Sequence, residues 1–433
     1  MSTRKILASV WYRRVGRIAL LLAAALALSA CSLLDGPPAD ISSPTVTPEV
    51  PTVVQVFAPT ATPTIPDSGV GPIIVGVVMA ETGVMAPLDG PALAAVRHGL
   101  DDLNARGGLL NREIDVRFFD TESTLDGAQN AADELIRAGV DLLIMTCDPG
   151  FGRPALQAAA GVGVIAITPC GSDDSWLSDL NGKLAFSMST SINAEGRVMA
   201  EWAFEEGIRN VAVIVDTTSP EAERSCDSFR KRWPELGGQI VFVDEMTYDA
   251  IESFIDRLRQ RPSSYELIVL CSHLPGGLRG APAIIEAVRA AGITVPLLGG
   301  STMDDPTWLR GAVPTLGALT VVSPSSAYGN DPLDPINELV EAINEGASVP
   351  VARGWSVYGA DSVLAWERAV LQAGSVDGVA VAAAMEAFSA EQLVSGAVTL
   401  SPLQHMHPNR PLRVLRFANE DVVVLDARAA QGS

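Results

Sequence analysis

The chain has 433 residues, 48% of them hydrophobic and 5% aromatic, which leaves room for two domains of ordinary size beyond any leader or linker. It carries 30 Lys+Arg against 51 Asp+Glu, a formal net charge of −21. That balance excludes nucleic acid, or an anionic membrane surface, as a partner held by charge.

Residues 1–30 read as a signal peptide. Arg4, Lys5, Arg13, Arg14 and Arg17, with no acid among them, form a positive n-region, and a thirteen-residue apolar run from Ile18 to Ala30 follows. The run is too short to span a bilayer comfortably, so cleavage is expected rather than a transmembrane anchor. Arg13-Arg14 lacks the surroundings of a twin-arginine signal. Leu28-Ser29-Ala30-Cys31 resembles the lipobox of bacterial lipoproteins. The resemblance implies that Cys31 becomes the lipidated first residue, holding the protein at the outer face of the cytoplasmic membrane or in the periplasm or cell envelope; a plain signal peptide with an incidental cysteine is the other reading. Without the five leader cations the balance is 25 against 51, a net of −26.

Residues 31–70 read as a tether. From Pro37 to Pro66 the chain is dominated by Pro, Thr, Ser and Val, a composition that cannot bury a core and favours extended polyproline conformations.

From about Gly71 short apolar runs alternate with amphipathic stretches. IIVGVVM is followed by a helix from Asp89 to Ala105, EIDVRFF, a helix from Leu125 to Ala138, DLLIMT, a further helix and VGVIAIT. After Phe186 a second series opens with a helix Ala194–Glu206 and NVAVIVD, then runs through ERSCDSFRKRWPELGG, QIVFVDEM, ESFIDRLRQ, ELIVLC and AIIEAVRAAG to VPLLGG. Strand and helix alternating over this length predict right-handed βαβ units, and strands that are continuous Val/Ile/Leu runs predict parallel sheets covered on both faces. The expected fold is α/β, with two doubly wound parallel-sheet lobes.

Four cysteines follow Cys31, and an even number in an exported chain invites disulfides. Cys147 and Cys170 end two consecutive strands that would lie side by side. Cys226, in the helix after VAVIVD, and Cys271, at the end of ELIVLC, would meet at one sheet edge. Free buried thiols are the alternative for both pairs.

The segment Gly83–Ser123, with Asn104, Gly107, Gly108 and Asp120, resembles the opening of the type I periplasmic binding proteins of the branched-chain amino-acid transport family. The likeness continues through Ile167–Ser172, Ala291–Gly300 and Trp355–Trp366 and covers nearly all of the chain after Gly71. It implies a three-segment hinge, with crossings near Ser187–Thr190, Ser323–Ser326 and Thr399–Pro411. Lobe 1 would comprise 71–188 and 325–400, and lobe 2 would comprise 189–324 and 401–428. It also implies a small polar solute held between the lobes, an ABC permease as partner, a monomer, and no cofactor.

Carried over residue by residue, the resemblance implies ligand contacts at Asp148, Gly150, Cys170, Gly171, Ser172, Thr217, His273, Ser301 and Tyr358. Asp148 falls where the family has a carboxylate-binding hydroxyl, and the chain without its leader is strongly negative, so the expected ligand is neutral or cationic rather than a dicarboxylate. The family's ammonium-binding acid falls near Ser301, which leaves the zwitterion clamp largely missing. Each residue also has a plainer role: Asp148 as a helix N-cap, Ser172 in a turn, His273 in a loop, Tyr358 packed against the hinge. Asp304-Asp305 reads as a helix N-terminus, and His405-Met406-His407 as an exposed loop rather than a metal arm.

Motifs for catalysis are absent: the sequence holds no GxSxG, HExxH or GxxxxGK. GVGVIA at Gly161 spells GxGxxA but precedes a strand instead of following one. No enzyme and no metal site are expected. The leading reading is a lipid-anchored solute receptor for an ABC importer; a ligand-sensing or ligand-free regulatory envelope protein on the same fold is the second.

Overall fold

The computed structural model describes residues 71–431, apart from 178–181, 218–219, 248–249, 262–263, 273–279, 307, 309–316, 348–349 and 419–420. The leader, Cys31, the tether and His273 lie outside the described residues.

Five strands, β1 (Ile73–Met79), β2 (Ile114–Asp120), β3 (Leu142–Met145), β4 (Ile165–Thr168) and β5 (Ala185–Ser187), form a first sheet in the order β2-β1-β3-β4-β5, all parallel. Every residue of β3 and β4 is buried, as a sheet covered on both faces requires. Helices α1 (Ala86–Ala105), α2 (Leu125–Arg137) and α3 (Pro149–Gly161) make the connections. α1 ends because Gly107 and Gly108 adopt φ of 101° and 76°, and Asn104 fixes its end to β2 by two 2.9 Å hydrogen bonds with the backbone of Ile114.

The chain then passes through α4 (Ile192–Glu205), β6 (Asn210–Asp216), α5 (Pro220–Glu235), β7 (Gln239–Met246), α6 (Ile251–Arg259), β8 (Leu267–Cys271), α7 (Ala281–Ala290), β9 (Leu297–Gly299) and β10 (Leu319–Ser323). It returns to the first lobe for α8 (Asp334–Asn344), α9 (Ser356–Ala373), α10 (Gly378–Glu386) and the small hairpin of β11 (Glu391–Leu393) and β12 (Gly396–Val398). It closes with β13 (Leu412–Ala418) and β14 (Asp421–Arg428) on the second sheet, whose order is β14-β13-β10-β9-β8-β6-β7.

That second sheet departs from the all-parallel expectation. β13 pairs antiparallel with β10, and β14 antiparallel with β13. The link between β13 and β14 is too short for the crossover that a parallel pair needs. Burial in β14 accordingly alternates along an edge strand, unlike the uniformly buried β8 and β10.

One core runs from Ile73 to Met188 and resumes from Ala327 to Leu400. A second spans Ala194–Val322 and resumes from Leu412 to Ala430. Within the first, α1 packs on α9 so closely that a Cβ at Gly359 would collide with the carbonyl of Ala92. Cys147 is bonded to Cys170 across the carboxyl ends of the neighbouring β3 and β4, and Cys226 to Cys271. The latter bridge fastens α5 to β8, which lies between β6 and β9 and not at the sheet edge expected from sequence. Among the described residues, no helix is long and apolar enough to cross a membrane.

Candidate functional site

The carboxyl ends of the parallel strands of both sheets face the junction of the lobes, the place where open α/β sheets bind ligands. A cavity of about 230 Å³ opens there. The first lobe lines it with the start of α1, at Ala86, Pro87, Gly90 and Pro91, and with Val351, Arg353 and Trp355 before α9. The second lobe contributes Thr302, Asp304 and Asp305 after β9.

Away from the crossings, two charge pairs among the described residues join the lobes. Arg224 of α5 contacts Asp173, in the loop after β4, at 2.5 Å. Arg353 contacts Asp305 at 2.8 Å. Beside the second pair, Asp304 is fully buried and accepts hydrogen bonds from Ser323 Oγ (2.5 Å), Tyr328 OH (2.6 Å) and Gly354 N (3.1 Å). Burial pushes its carboxyl above the usual range. Asp174 accepts from Ser191 Oγ and Asn193 Nδ2 at the start of α4, fixing the first crossing.

The remaining crossings are pinned by buried ion pairs. Arg410 contacts Asp361 of α9 and donates to the carbonyl of Met188 at 2.5 Å, and its guanidinium lies 5.2 Å from the ring centroid of Tyr358. Arg413 of β13 meets Asp331 at 2.9 Å, while Asp331 accepts from Ser326 N at 2.7 Å. A charge buried this deeply is tolerated because it is paired and hydrogen-bonded.

Two further buried carboxylates hold the strand ends. Asp89 of α1 accepts from Ala80 N (2.7 Å), Thr146 Oγ1 (3.0 Å) and Cys147 N (2.8 Å), joining α1 to the ends of β1 and β3. Burial outweighs these bonds and pushes its carboxyl up to about 6. Glu195 of α4 accepts from Ser225 Oγ at 2.9 Å and Ser301 N at 3.0 Å, and burial raises it too.

The residues singled out from sequence stand around the strand ends rather than in the cavity. Asp148 caps α3, its Oδ1 accepting from the backbone N–H of Gly150 (2.6 Å) and Phe151 (3.2 Å). Cys170 is in its disulfide, the carbonyl of Gly171 accepts from Ser187 Oγ at 2.7 Å, and that of Ser172 accepts from Ile192 N at 3.0 Å. Thr217 is exposed, with its hydroxyl on the carbonyl of Met246. Ser301 is bound to Glu195 next to the cavity-lining Thr302. Tyr358 is buried against the hinge, its phenol pushed up to about 12 by burial.

Asp304 is a buried acceptor, while Asp305 opens a 3-10 turn, its carbonyl accepting from Trp308 N at 3.3 Å, and pairs with Arg353 across the lobes. One sequence reading is corrected. His405 is not exposed; it stacks on Phe186 at 4.1 Å, with its ring nitrogens near Ala185 O and Glu386. Among the described residues no cluster of His, Cys, Asp or Glu could hold a metal ion. Sequence reasoning missed Arg224, Arg353 and Trp355; the only signal for the last was its place opening the WSVYGADSVLAW segment.

The family model described as "Periplasmic binding protein" matches residues 72–421. Solved structures are similar across most of the chain. The substrate-binding protein LivJ of Streptococcus pneumoniae, in complex with isoleucine, is 18% identical with a TM-score of 0.68, over 83% of this chain and 99% of that one. A solute-binding protein of R. palustris, in complex with benzoate, is 20% identical with a TM-score of 0.67, over 83% and 97%. An ABC transporter substrate-binding protein of Sphaerobacter thermophilus is 17% identical with a TM-score of 0.71, over 83% and 98%. At such identities the likeness establishes the fold. No curated protein matches the sequence.

Proposed function

The chain belongs to the periplasmic binding protein family, a family of binding proteins and not of enzymes, and from that premise we propose that it is the lipid-anchored solute receptor of an ABC importer. The observation that carries this reading is the 230 Å³ cavity lined by both lobes, beside crossings held by the buried pairs Arg410–Asp361 and Arg413–Asp331 and by the hydrogen bonds of Ser191 and Asn193 to Asp174. Crossings fixed in this way confine the lobes to a bend, so a solute that touches both favours the closed form over the open one. The Arg224–Asp173 and Arg353–Asp305 pairs join the lobes in that closed form. Membership of the family places the chain outside the cytoplasm, in the periplasm or envelope. Cys31 would carry the lipid, with residues 31–70 as the tether to the lobes.

The relatives named above were solved with isoleucine or with benzoate, so amino acids and small aromatic compounds form the panel to try first. A thermal-shift screen of the mature chain over amino acids, amides, polyamines, aromatic acids and aromatic amides tests the proposal. A rise in melting temperature with a restricted set of compounds supports it. A flat response across the panel, repeated by calorimetry, counts against a receptor role.

A further inference from the structure

Resting on the receptor reading, we propose that the interlobe cavity takes an uncharged, ring-bearing solute, such as an aromatic amide or alcohol, with Trp355 as its stacking face. The polar groups of the lining are already committed. Trp355 donates its Nε1–H to the carbonyl of Leu88 at 2.9 Å, and Thr302 Oγ1 donates to the carbonyl of Ser272 at 2.7 Å. Arg353 directs Nε and Nη2 to Asp305 at 2.9 and 2.8 Å, and Nη1 to the carbonyls of Pro350, Val351 and Ala352 at 2.9–3.2 Å. Asp304 accepts from Ser323, Tyr328 and Gly354.

Beyond the acceptor capacity of the two carboxylates, which suits a solute N–H or O–H, what the lining offers is apolar. Ala86, Pro87 and Pro91 on one wall and Val351 with the indole of Trp355 on another offer methyl, methylene and ring surface, against which a flat ring packs well. The size fits: a cavity of roughly 150 Å³ holds benzene, so 230 Å³ holds a single ring with one short substituent. Charge decides between aromatic acids and their neutral analogues. The lining holds two carboxylates, Asp304 and Asp305, against the one guanidinium of Arg353, so a solute carboxylate would have to enter beside like charge with no uncommitted cation.

Titration calorimetry of the mature chain with benzamide, benzyl alcohol, benzoate and leucine tests this. Benzamide or benzyl alcohol should bind at least about tenfold more tightly than benzoate or leucine. Trp355→Leu should weaken benzamide by about tenfold, the scale of one lost aromatic contact. Ala86→Leu, which fills the cavity from the first residue of α1, should do the same with the melting temperature unchanged. Benzoate or leucine binding as tightly as benzamide overturns the inference, as does benzamide affinity untouched in both variants. If the ring compounds fail while another solute stabilises the protein, the inference falls and the receptor reading stands. If no solute binds at all, the receptor reading falls first.

Discussion

Arg410 and Asp361 meet at 2.6 Å with side-chain exposures of 3% and 0%, the third crossing clasped to the longest helix of the first lobe's second half. Because Arg410 also holds the carbonyl of Met188, one guanidinium ties the first and third crossings together. The hinge is therefore a fixed point about which the lobes turn.

Removing one partner of this pair leaves the other buried and uncompensated. Arg410→Met is expected to cost about 3–5 kcal/mol in urea unfolding, and Arg410→Met/Asp361→Asn to recover part of the loss. An Arg410→Met protein as stable as the wild type would show that the pair does not hold the hinge.

The buried Asp89 makes stability depend on pH. Its folded-state value of about 6 lies above the ordinary aspartate value of 3.8, so the folded state binds its proton more tightly. Its contribution is fully present below about pH 4 and is lost as pH rises through about 6. The swing is on the order of 3 kcal/mol at most. Glu195 and Asp304, also raised by burial, slope the same way. Stability measured from pH 4 to 7 should fall more steeply for the wild type than for Asp89→Asn, and parallel curves would refute the assignment.

Asp148 offers a sharper separation of capping from binding. If its work is the N-terminus of α3, Asp148→Ala loses about 1 kcal/mol and Asp148→Ser, itself a capping residue, much less, with solute affinity equal in both. A severalfold change in affinity on Asp148→Ser would return this residue to the ligand contacts.

Mass mapping of the non-reduced mature protein should give the peptides Cys147–Cys170 and Cys226–Cys271 and no bridge between the two pairs. Loops of 23 and 45 residues each constrain the unfolded chain by about 3–4 kcal/mol. Cys226→Ser/Cys271→Ser should therefore lower the unfolding midpoint visibly, and an unchanged midpoint would argue against that bridge.

The fold was legible because its signals are local. Short uninterrupted runs such as DLLIMT and VGVIAIT, alternating with longer amphipathic stretches, read as strands buried on both faces, and Gly107-Gly108 marks a helix stop by backbone conformation. The antiparallel β13 and β14 were not foreseen, since RVLRFA and DVVVLDA give no directional cue beyond the short link between them. The site was harder to read because an aspartate in a loop after a strand serves equally to cap a helix, pair with arginine or face a ligand. Asp148, Asp305 and Asp304 turn out to cap, to pair and to accept buried hydrogen bonds, choices fixed by partners distant in sequence such as Arg353 and Tyr328. Trp355 was visible only as the start of a helix segment, because nothing local tells that its indole borders a cavity shared with Thr302.

Closure of the two lobes on a solute is the central claim, and small-angle X-ray scattering of the mature chain tests it most directly. Scattering is recorded without ligand and then with the tightest-binding compound of the screen at a concentration that calorimetry shows to be saturating. The account predicts a smaller radius of gyration in the saturated sample, approaching the value of the structure with Arg224–Asp173 and Arg353–Asp305 formed. A radius that stays the same under proven saturation would contradict it.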